Sequence, residues 1–122
     1  MQLQQKTDYA LRLLILLGLE TDGPVPVARV ASLYGLSEHH LAKIAQRLRD
    51  LGLVTTTRGR AGGLRLAREP ERIRMGEVVR AFEEQPLVEC FAPGGRCALG
   101  GGCVLERALA EAQARFLEVL DG

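Results

Sequence analysis

The chain has 122 residues, 47% of them apolar and 25% charged, which excludes a disordered or collagen-like polypeptide and fits one small domain or a domain with an extension. Aromatic residues reach only 4% and Trp is absent, so the core must be built from Leu, Val and Ala. The net charge of +1, taken whole, argues against a nucleic-acid partner, and three cysteines are an odd count for a disulfide scaffold.

At the start, Thr7 is placed to cap a helix, with Asp8 in its first turn, where the helix dipole favours a carboxylate. The pattern predicts a helix from Tyr9 to about Glu20, apolar nearly all round, with Thr21–Pro24 ending it. Such a helix is buried on several sides, by its own domain and by another subunit. The segment before it lacks the basic start, apolar run and cleavage site of a signal peptide, and Leu13–Leu19 is too short to span a bilayer. The expectation is a cytoplasmic protein with reduced thiols and no membrane partner.

Val27–Tyr34 fits a short helix with Val30, Ala31 and Leu33 inward. Gly35-Leu36 makes a tight turn, and Ser37 is a good N-cap for a helix over Glu38–Leu51, with Leu41, Ile44, Ala45, Leu48 and Leu51 at helical spacing. Gly52 is its stop. Leu53–Thr57 and Leu64–Ala67 have strand character around the basic, Gly-rich tip Arg58–Gly63. A helix-turn-helix followed by such a hairpin is a winged helix-turn-helix.

A connection over Pro70–Arg74 leads to a helix from Met75 to about Glu84, with Val78, Val79 and Phe82 inward. Residues 86–103 lack periodicity and hold Cys90, Cys97, Cys103 and five glycines. A last helix, Val104 to about Leu120, carries the stripe Leu105, Ala108, Leu109, Ala112, Phe116 and Leu120, suited to pairing two chains. The fold expected is mainly α with a small β-hairpin. Residues 1–84 form the winged helix-turn-helix, 85–103 a cysteine loop and 104–122 a dimerisation helix.

The small net charge conceals a segregation. Residues 1–80 hold 13 Lys/Arg against 8 Asp/Glu, a net of +5, and residues 81–122 hold 3 against 7, a net of −4. The basic excess falls on the third helix and the hairpin. That placement suits phosphate contact by Arg58, Arg60 and Arg65 while the third helix enters the major groove. Ser37, Glu38, His39 and His40 would face base edges, with Lys43 and Arg47 one and two turns on. A solvated basic face is the plainer alternative. Its coincidence with a helix-turn-helix and a basic hairpin favours double-stranded DNA.

The spacing Cys90-x6-Cys97-x5-Cys103 lacks the close C-x2–4-C pairs of a zinc knuckle. A wide, Gly-rich loop suits a larger object such as an iron–sulfur cluster, while a single metal, zinc among them, and redox or incidental thiols stay open. Three thiols leave one ligand position to another residue. Glu106 is local and easy to reach; Asp8 is distant, and on its own terms reads as a helix-start carboxylate paired with Arg12 at i,i+4. His39 and His40 are adjacent, do not share a helix face and lie on the DNA side. No paired carboxylates, nucleophile–base pair or phosphate loop suggests an enzyme, and Gly59–Gly63 lacks the lysine and helix start of such a loop.

The segments Thr7–Arg12, Leu36–Leu41, Leu48–Leu64 and Leu87–Phe91, with the three cysteines, resemble the bacterial winged-helix iron–sulfur regulators, the family that includes IscR and NsrR. Arg58-Gly59 followed by Gly62-Gly63, and above all Leu87-Val-Glu-Cys-Phe91, point to the nitric oxide-sensing branch of repressors. The resemblance implies a homodimer on inverted-repeat promoter DNA and a cluster, 4Fe–4S or else 2Fe–2S, held by Cys90, Cys97 and Cys103. Glu106 stands where the IscR branch has a histidine. The resemblance implies instead that Asp8 of the partner subunit completes the site, with Arg12 as its coupling residue. Nitric oxide would attack at the carboxylate-bound iron, release the Asp8 link and change the spacing of the two reading heads. Sensing of cluster supply or redox state, and a zinc-bound structural or interaction module, are the alternatives.

Overall fold

The structure, a computed structural model, describes residues 1–95, 97–99 and 102–122; Arg96, Gly100 and Gly101 of the cysteine loop lie outside the described residues. The described residues form five α-helices, two 3-10 turns and one antiparallel hairpin, in two compact units, Met1–Ile73 and Arg74–Gly122.

The first unit begins with α1, Gln5–Leu19. It starts three residues, about one turn, earlier than Thr7 would allow as a cap. Gln4 is the N-cap residue, its carbonyl accepting from the N–H groups of Thr7 and Asp8 at 3.0 and 3.2 Å. Gln5 and Lys6 are good helix formers, and Thr7 is fully buried inside the first turn, so the Thr7 cap is corrected. Ala10, Leu13, Leu14 and Leu17 are buried, and α1 packs on α3 (Glu38–Asp50) and on β2 (Gly63–Leu66). Helix α2 spans Val27–Tyr34 and closes on Gly35, whose φ of 67° is the left-handed turn that a side chain would strain. Val30 and Ala31 are buried as expected, but Leu33 is 62% exposed, because helical spacing turns it away from the direction that Val30 and Ala31 share.

Helix α3 starts at Ser37, whose Oγ accepts from the His40 N–H at 3.0 Å. Leu41, Ile44, Ala45 and Leu48 turn inward. It ends before Gly52, where the Leu53 N–H returns to the Leu48 carbonyl at 3.0 Å. Strand β1, Val54–Thr57, then pairs with β2 in the register Val54↔Leu66, Thr55↔Arg65, Thr56↔Leu64 and Thr57↔Gly63. One further pairing has no periodic signal in the sequence. Val25 donates to the Leu64 carbonyl at 2.8 Å and accepts from the Leu64 N–H at 2.7 Å, so the chain between α1 and α2 borders the hairpin on its other side. Val25 and Leu64 are each 1% exposed, and this bridge anchors the wing to the body of the unit.

The second unit holds α4, Met75–Phe82, with Val78, Val79 and Phe82 buried, and α5, Val104–Asp121, which packs on α4. By packing, α4 therefore groups with α5, whereas the sequence reading drew its boundary after Glu84. Between them a 3-10 turn, Glu89–Phe91, interrupts the cysteine loop. No residue of α5 is buried: Phe116 and Leu120 are half-covered, while Leu105 and Val119 are 64% and 77% exposed.

A Cβ at Gly63 would overlap the carbonyl of Val25, so the bridge needs glycine at that point. Gly63→Ala should lower stability by about 2 kcal/mol, as overpacking does. The check is a lower urea midpoint at unchanged slope.

Candidate functional site

Two groups of residues carry candidate chemistry, one in each unit. In the first, α3 and the hairpin present the basic surface. Ser37, Glu38, His39, Lys43 and Arg47 are exposed on α3, as are Arg58 and Arg60 at the hairpin tip and Arg65 on β2. His40 differs from its neighbours. It is half-buried, its ring edge-on to Tyr9 of α1, with centroids 6.2 Å apart at 85°.

Tyr9, which belongs to the apolar pattern of α1, is the middle of a chain of contacts without sequence signal. The Arg12 guanidinium lies 5.9 Å over its ring. Arg12 Nε donates to Asp8 Oδ1 at 2.9 Å, and the Arg12 carbonyl accepts from the Tyr34 hydroxyl of α2 at 2.9 Å. Asp8, Arg12, Tyr9 and His40 thus form one path from the start of α1 to the first turn of α3. The Asp8–Arg12 pair is the i,i+4 pair expected from the sequence, and its side chains are 46% and 53% exposed. Exposed pairs of this kind contribute at most about 1 kcal/mol, so Asp8 can exchange its partner at low cost.

A second contact set ties α3 to the wing. Arg49 Nη1 donates to Thr56 Oγ1 on β1 at 3.0 Å, and Arg49 also donates to Gln46 Oε1. Arg68 reaches the Leu51 carbonyl at 3.2 Å. These two arginines, counted in the sequence as part of the basic excess, fasten the helix to the hairpin.

The cysteine group lies in the second unit. All three thiols are free of disulfides; Cys90 and Cys103 are half-buried and Cys97 is exposed. Cys90 sits in the 3-10 turn, and Cys103 directly precedes α5. Among the described residues, no three His, Cys, Asp or Glu side chains converge on a metal-sized site. The donor chemistry nonetheless fits an iron–sulfur cluster: three thiols free of disulfides lie on one loop, with glycines 94, 95 and 102 among its described residues. Glu106 is half-buried in the first turn of α5.

The second unit also holds a charge pair without sequence signal. Arg80 of α4 donates through both terminal nitrogens to the Asp121 carboxylate, at 2.9 and 2.6 Å. Gly76 leaves room for that carboxylate. The hydrogen bond and charge of Arg80, with Arg74 adding its field, hold the Asp121 carboxyl below the usual carboxylate range, and Asp121 in turn raises Arg80.

The chain matches the Rrf2 family model, described as an iron-dependent transcriptional regulator, over residues 3–122. The chain belongs to the Rrf2 family. It is 48% identical to the HTH-type transcriptional regulator NsrR of Geobacillus kaustophilus, over 99% of this chain and 84% of that protein. It is 44% identical to NsrR of Bacillus subtilis, over 99% and 85%. Among solved structures it superposes on T. potens IscR with a TM-score of 0.79 at 28% identity, covering 99% of this chain and 80% of that one. CymR, the global cysteine regulator of B. subtilis, superposes with a TM-score of 0.77 at 31% identity, covering 99% and 90%. This Rrf2 chain is accordingly a winged-helix, DNA-binding transcription regulator and not an enzyme. Among its described residues no helix is long and apolar enough to cross a membrane.

Asp121 gains stability from its ionised form, so its contribution is full above the unfolded carboxylate range and is lost as pH falls through the lowered folded value. Asp121→Asn should therefore unfold more readily than wild type at neutral pH. The difference should close on acidification, as followed by thermal melts across a pH series.

Proposed function

We propose that this Rrf2 chain is a repressor that senses nitric oxide through an iron–sulfur cluster and binds inverted-repeat promoter DNA as a homodimer in the cytoplasm. The observation that carries the reading is the loop Leu87–Cys103, where three free thiols follow the Leu-Val-Glu-Cys-Phe signature in a chain similar throughout to NsrR-named regulators. Cys90, Cys97 and Cys103 would hold the cluster, 4Fe–4S in preference to 2Fe–2S, and Asp8 of the partner subunit would complete it. When bound, the cluster supplies iron that reacts with nitric oxide.

The remaining work falls to the chain's own residues. The exposed stripe of Leu105, Ala108, Ala112 and Val119 on α5 is the surface for a second copy. Dimerisation places two α3 helices on successive major grooves, about 34 Å apart or a multiple of it. Arg58, Arg60 and Arg65 hold the duplex backbone while Ser37, Glu38, His39, His40, Lys43 and Arg47 line the groove side. Coupling runs through Arg12. With Asp8 engaged as a ligand, Arg12 is without the carboxylate that it holds here, and its position over Tyr9 changes. Tyr9 abuts His40, so α3 responds. Two positions of Arg12 thus correspond to two DNA affinities, and repressed genes are expressed when affinity falls.

Protein purified without oxygen should contain iron and acid-labile sulfide and absorb in the visible, with a band that bleaches on adding nitric oxide. Cys97→Ala should lose that band. Asp8→Ala should shorten the lifetime of the chromophore with unchanged helical circular dichroism. A colourless protein with stoichiometric zinc would contradict the reading, and bleaching by oxygen or reductant but not by nitric oxide would replace the signal with a redox one.

A further inference from the structure

The inward stripe of α3 is Leu41, Ile44, Ala45 and Leu48. At 3.6 residues per turn, the opposite side carries His39, Lys43 and Gln46. These three are not equivalent. The Gln46 amide is held on both sides, donating to Asp50 Oδ1 at 2.9 Å and accepting from Arg49. His39 and Lys43 are exposed one turn apart in the first half of the helix, the half that meets base edges when a recognition helix docks. Two other polar residues of that half are committed within the fold: the Ser37 hydroxyl accepts from the His40 N–H, and the His40 ring stands edge-on to Tyr9.

We infer that His39 and Lys43 are the base-reading pair of this regulator, Lys43 selecting guanine and His39 a neighbouring purine, while Ser37 and His40 are positioning residues. A lysine ammonium has three donors and no acceptor. In the major groove guanine presents two acceptors side by side, N7 and O6, whereas adenine sets an amino donor beside its N7. Cytosine offers a donor, and thymine sets a methyl group beside its one acceptor. Lys43 therefore favours guanine, and an N–H of His39, one turn nearer the helix start, meets an N7 acceptor beside it. Arg58 and Arg60 at the hairpin tip meet phosphates, which carry affinity without sequence information.

The inference rests on α3 entering the major groove as proposed above, and a selection experiment separates the two claims. The full chain, purified without oxygen, is challenged with a randomised duplex library. Wild type should select a site with a guanine beside a purine in each half. Lys43→Gln should relax the guanine position and His39→Ala the purine position, each by about fivefold or more. Arg58→Gln should weaken all selected duplexes alike and keep the consensus. Placing 7-deazaguanine at the selected guanine position should lower wild-type affinity and leave the matching variant unaffected. An unchanged consensus in both Lys43→Gln and His39→Ala overturns the pair. Ala42→Glu sets a carboxylate beside Lys43 on an exposed position. If it abolishes selection while the Lys43 and His39 variants keep the consensus, the helix docks and only the pair is wrong. If Ala42→Glu still selects the wild-type site, the docking itself is wrong. Circular dichroism of each variant confirms the fold.

Discussion

The burial of α1 is the constraint on which the rest of the DNA-binding unit depends. Ala10, Leu13, Leu14 and Leu17 supply an apolar face wide enough to support two neighbours, α3 and β2. With its inner stripe satisfied by α1, α3 can present a polar, basic face outward at little cost in buried area. With Leu64 buried and bridged to Val25, the hairpin is held one residue below its tip, while Arg58–Ala61 stays exposed. The same burial leaves Asp8 and Arg12, on the other side of the first turns of α1, partly at the surface. They are linked by Tyr9 to α3. One helix therefore supports the reading surface and also carries the residues that would report on ligation of Asp8.

Electrostatics follow the same division. The unit Met1–Ile73 holds 11 Lys/Arg against 7 Asp/Glu, and Arg74–Gly122 holds 5 against 8. A near-neutral chain thus has a basic first unit and an acidic second unit. Not every arginine of the first is available to phosphate, because Arg49 and Arg68 are spent on joining α3 to the wing. In the second unit, Arg80 serves Asp121 across α4 and α5. Counting charge alone overstates the DNA-facing surface, and the hydrogen bonds correct it.

Local chemistry was legible in the sequence where one residue decides it. Gly35, Ser37 and Gly52 bracket the helix-turn-helix, and the structure keeps those limits to within a residue. Wherever the outcome depends on distant partners, the sequence was silent or misleading. Thr7 looks like a cap, but tertiary burial draws it inside the helix. Val25 and Leu64 pair through backbone groups across 39 residues, which leaves no pattern in side chains. The Arg80–Asp121 pair is equally non-local. The stripe of α5 was legible, yet its face is not buried within one chain. The cysteines were legible as a set but not as a site, because a ligand cage is defined by the group that it encloses.

The central claim is that the state of the cysteine loop governs the affinity of α3 and the wing for DNA. Its most direct measurement is the affinity of one anaerobic sample for one selected duplex, at fixed salt, as nitric oxide is titrated in. The account predicts that affinity falls by about tenfold or more in step with loss of the visible chromophore. Complete bleaching with unchanged affinity would contradict it.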